Sequence, residues 1–104
     1  MKIQFNTDKN IHGTEDFIRR LTSLIEGNLE KYSTQITRIE VHLSDEDGDK
    51  NGIKTKRCLL EARLSGMNPI AVSSQSLTEE LAVTESIDKL KSSLETILGK
   101  LRNH

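Results

Sequence analysis

Two stretches with strict alternation, separated by a short polar segment, constrain this chain more than any other feature. In ITRIEVHLS, residues 36–44, Ile39, Val41 and Leu43 fall on one side while Arg38, Glu40 and His42 fall on the other. In TKRCLLEARLS, residues 55–65, Cys58, Leu60, Ala62 and Leu64 oppose Arg57, Leu59, Glu61 and Arg63. A period of two puts successive side chains on opposite faces of a strand and cannot make a helical stripe. Two such strands joined by Gly, Asn and Asp residues predict an antiparallel hairpin with one dry and one wet face. The dry face then needs a cover.

The joining segment, DEDGDKNG at residues 45–52, invites comparison with a calcium loop. Asp47, Asp49, Asn51 and Gly52 take the first, third, fifth and sixth positions of that motif. The twelfth position, where a bidentate Glu closes the coordination shell, is Cys58, and the eighth is Lys54. The flanks alternate like strands rather than helices. The segment therefore reads as a metal-free hairpin tip built by turn chemistry.

The remaining elements supply the cover. Ile3 and Phe5 alternate with Lys2, Gln4 and Asn6 in an opening strand. Thr14 is a plausible N-cap, Glu15 and Asp16 suit the positive end of a helix dipole, and Ile18, Leu21, Ile25, Leu29 and Tyr32 recur at helical spacing to about Lys31. GMNP, residues 66–69, is a turn, and Ile70 and Val72 begin a fourth strand. Ser76 and Glu79 fit a capping box ahead of a second helix, whose stripe is Val83, Ile87, Leu90, Leu94, Ile97 and Leu101. The order is β-α-β-β-β-α, an α+β fold with a four-stranded sheet and both helices on one face, in a single domain over residues 1–104. A second helix this long predicts an overhang past the sheet. Ile97, Leu98 and Leu101 would then form an apolar end suited to a weak homodimer.

The charge balance bounds the function. A formal net charge of -1 lacks the global positive field of a strong nucleic-acid binder, so any such role must rest on local patches. One cysteine cannot form an internal disulfide, no segment is apolar enough to span a membrane, and no signal core opens the chain. The expectation is a soluble, cytoplasmic protein.

No catalytic set emerges, and neither a metal site nor a cofactor is expected. His12, His42 and His104 lie on a loop, a wet strand face and the terminus, without ligand spacing. Alternation puts His42 and Cys58 on opposite faces, so they make no dyad, and Cys58 reads as a small core residue. What remains is surface cations. Arg38, Arg57 and Arg63 share the open sheet face, Lys54 and Lys56 stand at the hairpin base, Arg19 and Arg20 lie on helix one, and Lys89, Lys91, Lys100 and Arg102 on helix two. Glu40, Glu61, Asp88 and Glu95 accompany them, so ordinary solubilising charge explains them as well.

The element order, together with KRCLLEARLSGMNPIAVSSQSLTEELAVTESIDKL at residues 56–90, resembles the short hibernation-promoting factor and ribosome-associated inhibitor A family, also called sigma-54 modulation or ribosomal subunit interface proteins. The similarity extends to MKIQFNT, ITRIEVHLSDEDGDKNG and LGKLRNH. It implies a non-enzymatic factor that occupies the messenger and transfer RNA channel of the small ribosomal subunit and inhibits translation in stationary phase or stress. It further implies phosphate contacts to ribosomal RNA from Lys89, Lys91, Lys100 and Arg102, with Lys56 and Arg57. The C-terminal dimerisation domain of the long family members is not expected here. The alternative is a protein-interaction module of the same fold that has lost RNA binding, suggested by the net charge and by the apolar run Thr96, Ile97, Leu98.

Overall fold

The hairpin forms as its alternation demands. In the computed structural model, which describes residues 1–46 and 55–102 with side chains through Gly99, strands β2 (Ile36–Asp45) and β3 (Lys56–Leu64) pair antiparallel. Ile39, Val41, Leu43, Cys58, Leu60 and Ala62 are buried on one face. Residues 47–54, with the calcium-loop positions and most of the tip, lie outside the described residues.

Strand β4 (Ile70–Ser76) follows β3 through the expected turn, where Gly66 takes a φ of 70°, a left-handed conformation that glycine adopts without strain. It adds antiparallel to the outer edge of β3. Strand β1 (Lys2–Thr7) pairs with the other side of β2 and runs parallel to it. The order is β1-β2-β3-β4 in one mixed sheet. A parallel pair needs a crossover, which helix α1 (Glu15–Leu29) provides before a short 3-10 turn at Glu30–Tyr32.

Both helices cover the same face. Leu21, Ile25 and Leu29 of α1 join Val83, Ile87 and Leu90 of α2 (Glu79–Arg102) in one core with the dry faces of the strands. Each fully buried Leu or Ile contributes ~1.5–3 kcal/mol. The two helices run side by side in the same direction, since Arg20 pairs with Glu80 near their starts and Lys31 with Glu95 near their other ends. Tyr32 donates its hydroxyl to the same Glu95 carboxylate.

Thr14 caps α1 as expected, accepting from Phe17 N at 3.2 Å. The capping box at Ser76 does not form. Thr78 caps α2 instead, its hydroxyl accepting from Leu81 N at 3.1 Å, while Ser76 ends β4, buried, with its hydroxyl 3.4 Å from Glu85 Oε1. The strand keeps Ser76 because its position alternates onto the covered face. Helix α2 has 24 residues, ~36 Å at 1.5 Å per residue, well beyond the ~23 Å of the 7-residue β4 and slightly beyond the ~33 Å of the 10-residue β2. Full burial ends at Leu94, and Leu98 packs partly buried against the core. No helix among the described residues is long and apolar enough to cross a membrane.

Candidate nucleic-acid interface

The six cations expected at an RNA contact occupy separate surroundings. Lys89 and Lys91 are two residues apart on α2, which at 100° per residue places them on opposite flanks of the helix. Lys89 faces the β4 edge, where its ammonium donates to the Ser73 carbonyl at 2.7 Å. This contact occupies a carbonyl on an edge strand, where unpaired backbone groups would otherwise invite another chain. Lys91 falls on the flank shared with Glu80, which pairs with Arg20 of α1, and Glu95, which pairs with Lys31 of the 3-10 turn, and is half-buried. The side chains of Lys100 and Arg102 lie outside those described.

Lys56 faces inward. Its ammonium pairs with Asp45, whose side chain is 0% exposed against 11% for Lys56, directly across the base of the hairpin. The Asp45 backbone is held from the β1 side, its N–H donating to Asp8 Oδ2 at 3.2 Å and its carbonyl accepting from Asn10 Nδ2 at 3.1 Å. Arg57, the next residue, alternates to the open face between Ser44 and Gln75 in register. Of the four whose side chains are described, it alone belongs to that face.

The open face carries a patterned set of charges. Lys2, Arg38 and Arg63 stand side by side on β1, β2 and β3, because Lys2 is in register with Arg38 and Arg38 with Arg63. The next row places Glu40 beside Glu61. Glu40 bridges the arginines, Oε1 lying 3.3 Å from Arg38 Nη2 and Oε2 3.3 Å from Arg63 Nε, while Glu61 Oε1 is 3.1 Å from Arg63 Nη2. Partial burial works against the charged form of Glu40. The hydrogen bonds and charges of Arg63 and Arg38 outweigh it and hold the carboxyl below its ordinary range.

On the helix layer acids outnumber bases among the described side chains. Glu15, Asp16, Glu79 and Glu80 in the first turns complement the helix dipoles. Among the described side chains the helix layer is thus net negative, while on the open sheet face Lys2, Arg38, Arg57 and Arg63 outnumber Glu40 and Glu61.

Over residues 5–102 the chain matches the family model described as Sigma 54 modulation protein / S30EA ribosomal protein. The chain belongs to this family. Among solved structures it is similar to the N-terminal domain of Protein Y from Thermus thermophilus, at 18% identity and a TM-score of 0.73, covering 93% of this chain and 99% of that one. It is also similar to a ribosomal subunit interface protein from Coxiella burnetii, at 20% identity and a TM-score of 0.70, covering 95% and 99%. Identities this low establish a shared fold. No match emerges among curated protein sequences.

The Sigma 54 modulation / S30EA family is a class of ribosome-associated, non-enzymatic factors. Among the described residues no group of three or more His, Cys, Asp or Glu could hold a metal ion. Cys58 is buried, and burial pushes its thiol up to about 11 despite a weak opposing contact from Ser86. A thiol so poised supplies little thiolate at neutral pH. Sequence reasoning places Arg38 and Arg63 on the open face but gives Lys2 no role, because only the parallel pairing of β1 with β2 sets it beside them.

Proposed function

We propose that this protein binds the small ribosomal subunit through phosphates of its ribosomal RNA, in the channel used by messenger and transfer RNA, and thereby inhibits translation when growth slows. Family membership across nearly the whole chain carries the reading. The reading assigns phosphate contacts to Lys89, Lys91, Lys100 and Arg102, with Lys56 and Arg57. Phosphate contacts fix position by charge and shape rather than by base sequence.

The test is cosedimentation of the purified protein with small subunits through a salt series. Affinity should fall steeply as salt rises, because each neutralised phosphate releases counterions. Replacing Lys89 and Lys91 together by Glu should release the protein at salt concentrations that the wild type tolerates. Both positions flank the buried stripe of Val83, Ile87, Leu90 and Leu94, so the variant should stay folded. A wild type that never cosediments would overturn the proposal.

A second reading, a protein-interaction module without RNA binding, is favoured by the internal engagement of Lys56 with Asp45 and of Lys89 with the Ser73 carbonyl. It requires that wild type and double variant both stay at the top of the gradient.

A further inference from the structure

The row Lys2, Arg38, Arg63 is what folding alone explains least. Cross-strand neighbours of like charge are destabilising, and opposite charges in register would serve the sheet better. Here Arg38 faces Arg63 directly and Lys2 stands on the far side of Arg38, while Glu40 faces Glu61 in the next row. Every attraction among the four central charges therefore runs diagonally or along a strand. Adjacent strands are ~4.8 Å apart, so the three cations span about 10 Å of flat surface, a reach that fits successive phosphates of one nucleic-acid strand.

The arginines are already set for an anion. Glu40 places one carboxylate oxygen against each guanidinium, at 3.3 Å in both cases, where a phosphate oxygen pair would sit. The side chain of Arg63 is 50% exposed and that of Arg38 40%, whereas Glu40 is only 15% exposed, so the donors remain reachable above their resident partner. Arg38 Nε is buried without a hydrogen-bond partner among the described residues. Lys2 is exposed and makes no ion pair among them.

We infer that Lys2, Arg38 and Arg63 form a phosphate-binding row for an RNA strand on the open face of the sheet, and that Glu40 is an internal counter-anion which lowers its affinity. The inference rests on the ribosome-associated reading and adds to it a surface opposite the helices. An incoming phosphate draws the two guanidiniums away from Glu40, and part of its binding energy is lost in that exchange. Removing the Glu40 charge should tighten binding without adding a contact.

The experiment is fluorescence anisotropy of a labelled oligouridylate of about a dozen nucleotides, within the usual site size for single strands, titrated with the full chain at several salt concentrations. Arg38→Gln/Arg63→Gln should weaken binding at low salt by ~10-fold or more and reduce the log-log salt slope by roughly two units. Glu40→Gln should tighten binding by ~3–10-fold and steepen the slope by up to about one unit. Circular dichroism checks folding. Glu40→Gln keeps the test open if the arginine variant does not fold, since it leaves both guanidiniums in place. Unchanged affinity in the folded variants, or no binding by the wild type at low salt, overturns the inference. So does equal competition by a polyglutamate peptide, which would assign the row to acidic protein. Tighter binding by Glu40→Gln in a protein that never cosediments with small subunits would support the row and sink the ribosomal reading instead.

Discussion

Asp45 and Lys56 show how a residue can look like surface charge and act as structure. They face each other across the hairpin base on the covered side of the sheet, and the next position in register is the buried Ser76. A buried carboxylate that loses a paired cation loses much of its compensation, and breaking a buried pair costs up to about 3–5 kcal/mol. Lys56→Met should therefore lower stability by about that amount in urea unfolding, and adding Asp45→Asn should recover a substantial part. If Lys56→Met alone proves neutral, the pair contributes nothing to folding. Cys58 gives a second residue-level expectation. Its thiol, pushed up to about 11, stays protonated at neutral pH and lies under α2, so native protein at pH 8 should react with a thiol reagent far more slowly than urea-unfolded protein. Labelling at equal rates would show the site to be open.

At the scale of elements, the cap of α2 separates sequence logic from geometry. Ser76 and Glu79 have the spacing of a capping box, yet Thr78 supplies the hydroxyl that the first turn uses. Thr78→Ala should cost about 1 kcal/mol, the usual worth of a cap. Ser76→Ala should act through packing against α2 and leave the helix start intact. Urea unfolding of both variants, with helix content by circular dichroism, distinguishes the two roles. The flanks of α2 carry a related lesson. Lys89 and Lys91 are neighbours in sequence but sit on opposite sides of the helix, one against the β4 edge and one beside α1. Any partner touching both must bridge the helix crest.

For the molecule as a whole the net charge is only -1, yet among the described side chains the two faces differ in the sign of their charge. That balance conceals a helix layer rich in carboxylates and a sheet face whose cations include Lys2, Arg38, Arg57 and Arg63. Oligomeric state belongs at this scale too. Leu98 packs partly buried on the core, so the apolar end proposed for weak self-association now depends more on the half-buried Ile97. Sedimentation equilibrium should show a weak concentration dependence that Ile97→Glu removes while the fold persists. A wild type that stays monomeric at high concentration would remove the idea.

The elements and their faces were legible in the chain, because burial of one side of a strand or helix imposes a period that the sequence must obey. Hence the β2–β3 hairpin, the Thr14 cap, the turn at Gly66 and the stripe of α2 from Val83 to Leu94 fall where their spacing puts them, whereas beyond Leu94 it is Leu98 rather than Ile97 that packs against the core. What the chain could not show is anything set by register between distant segments. The parallel seating of β1 against β2 brings Lys2 beside Arg38, and the hairpin register brings Arg38 beside Arg63 and Lys56 over Asp45. Whether a lysine is solvated, paired in the interior or laid along a strand edge depends on which partner the fold places within reach. Alternation puts Arg38, Arg57 and Arg63 on one face but carries no information about their neighbours, so tertiary structure decided which of them stand side by side and that Lys2 joins them.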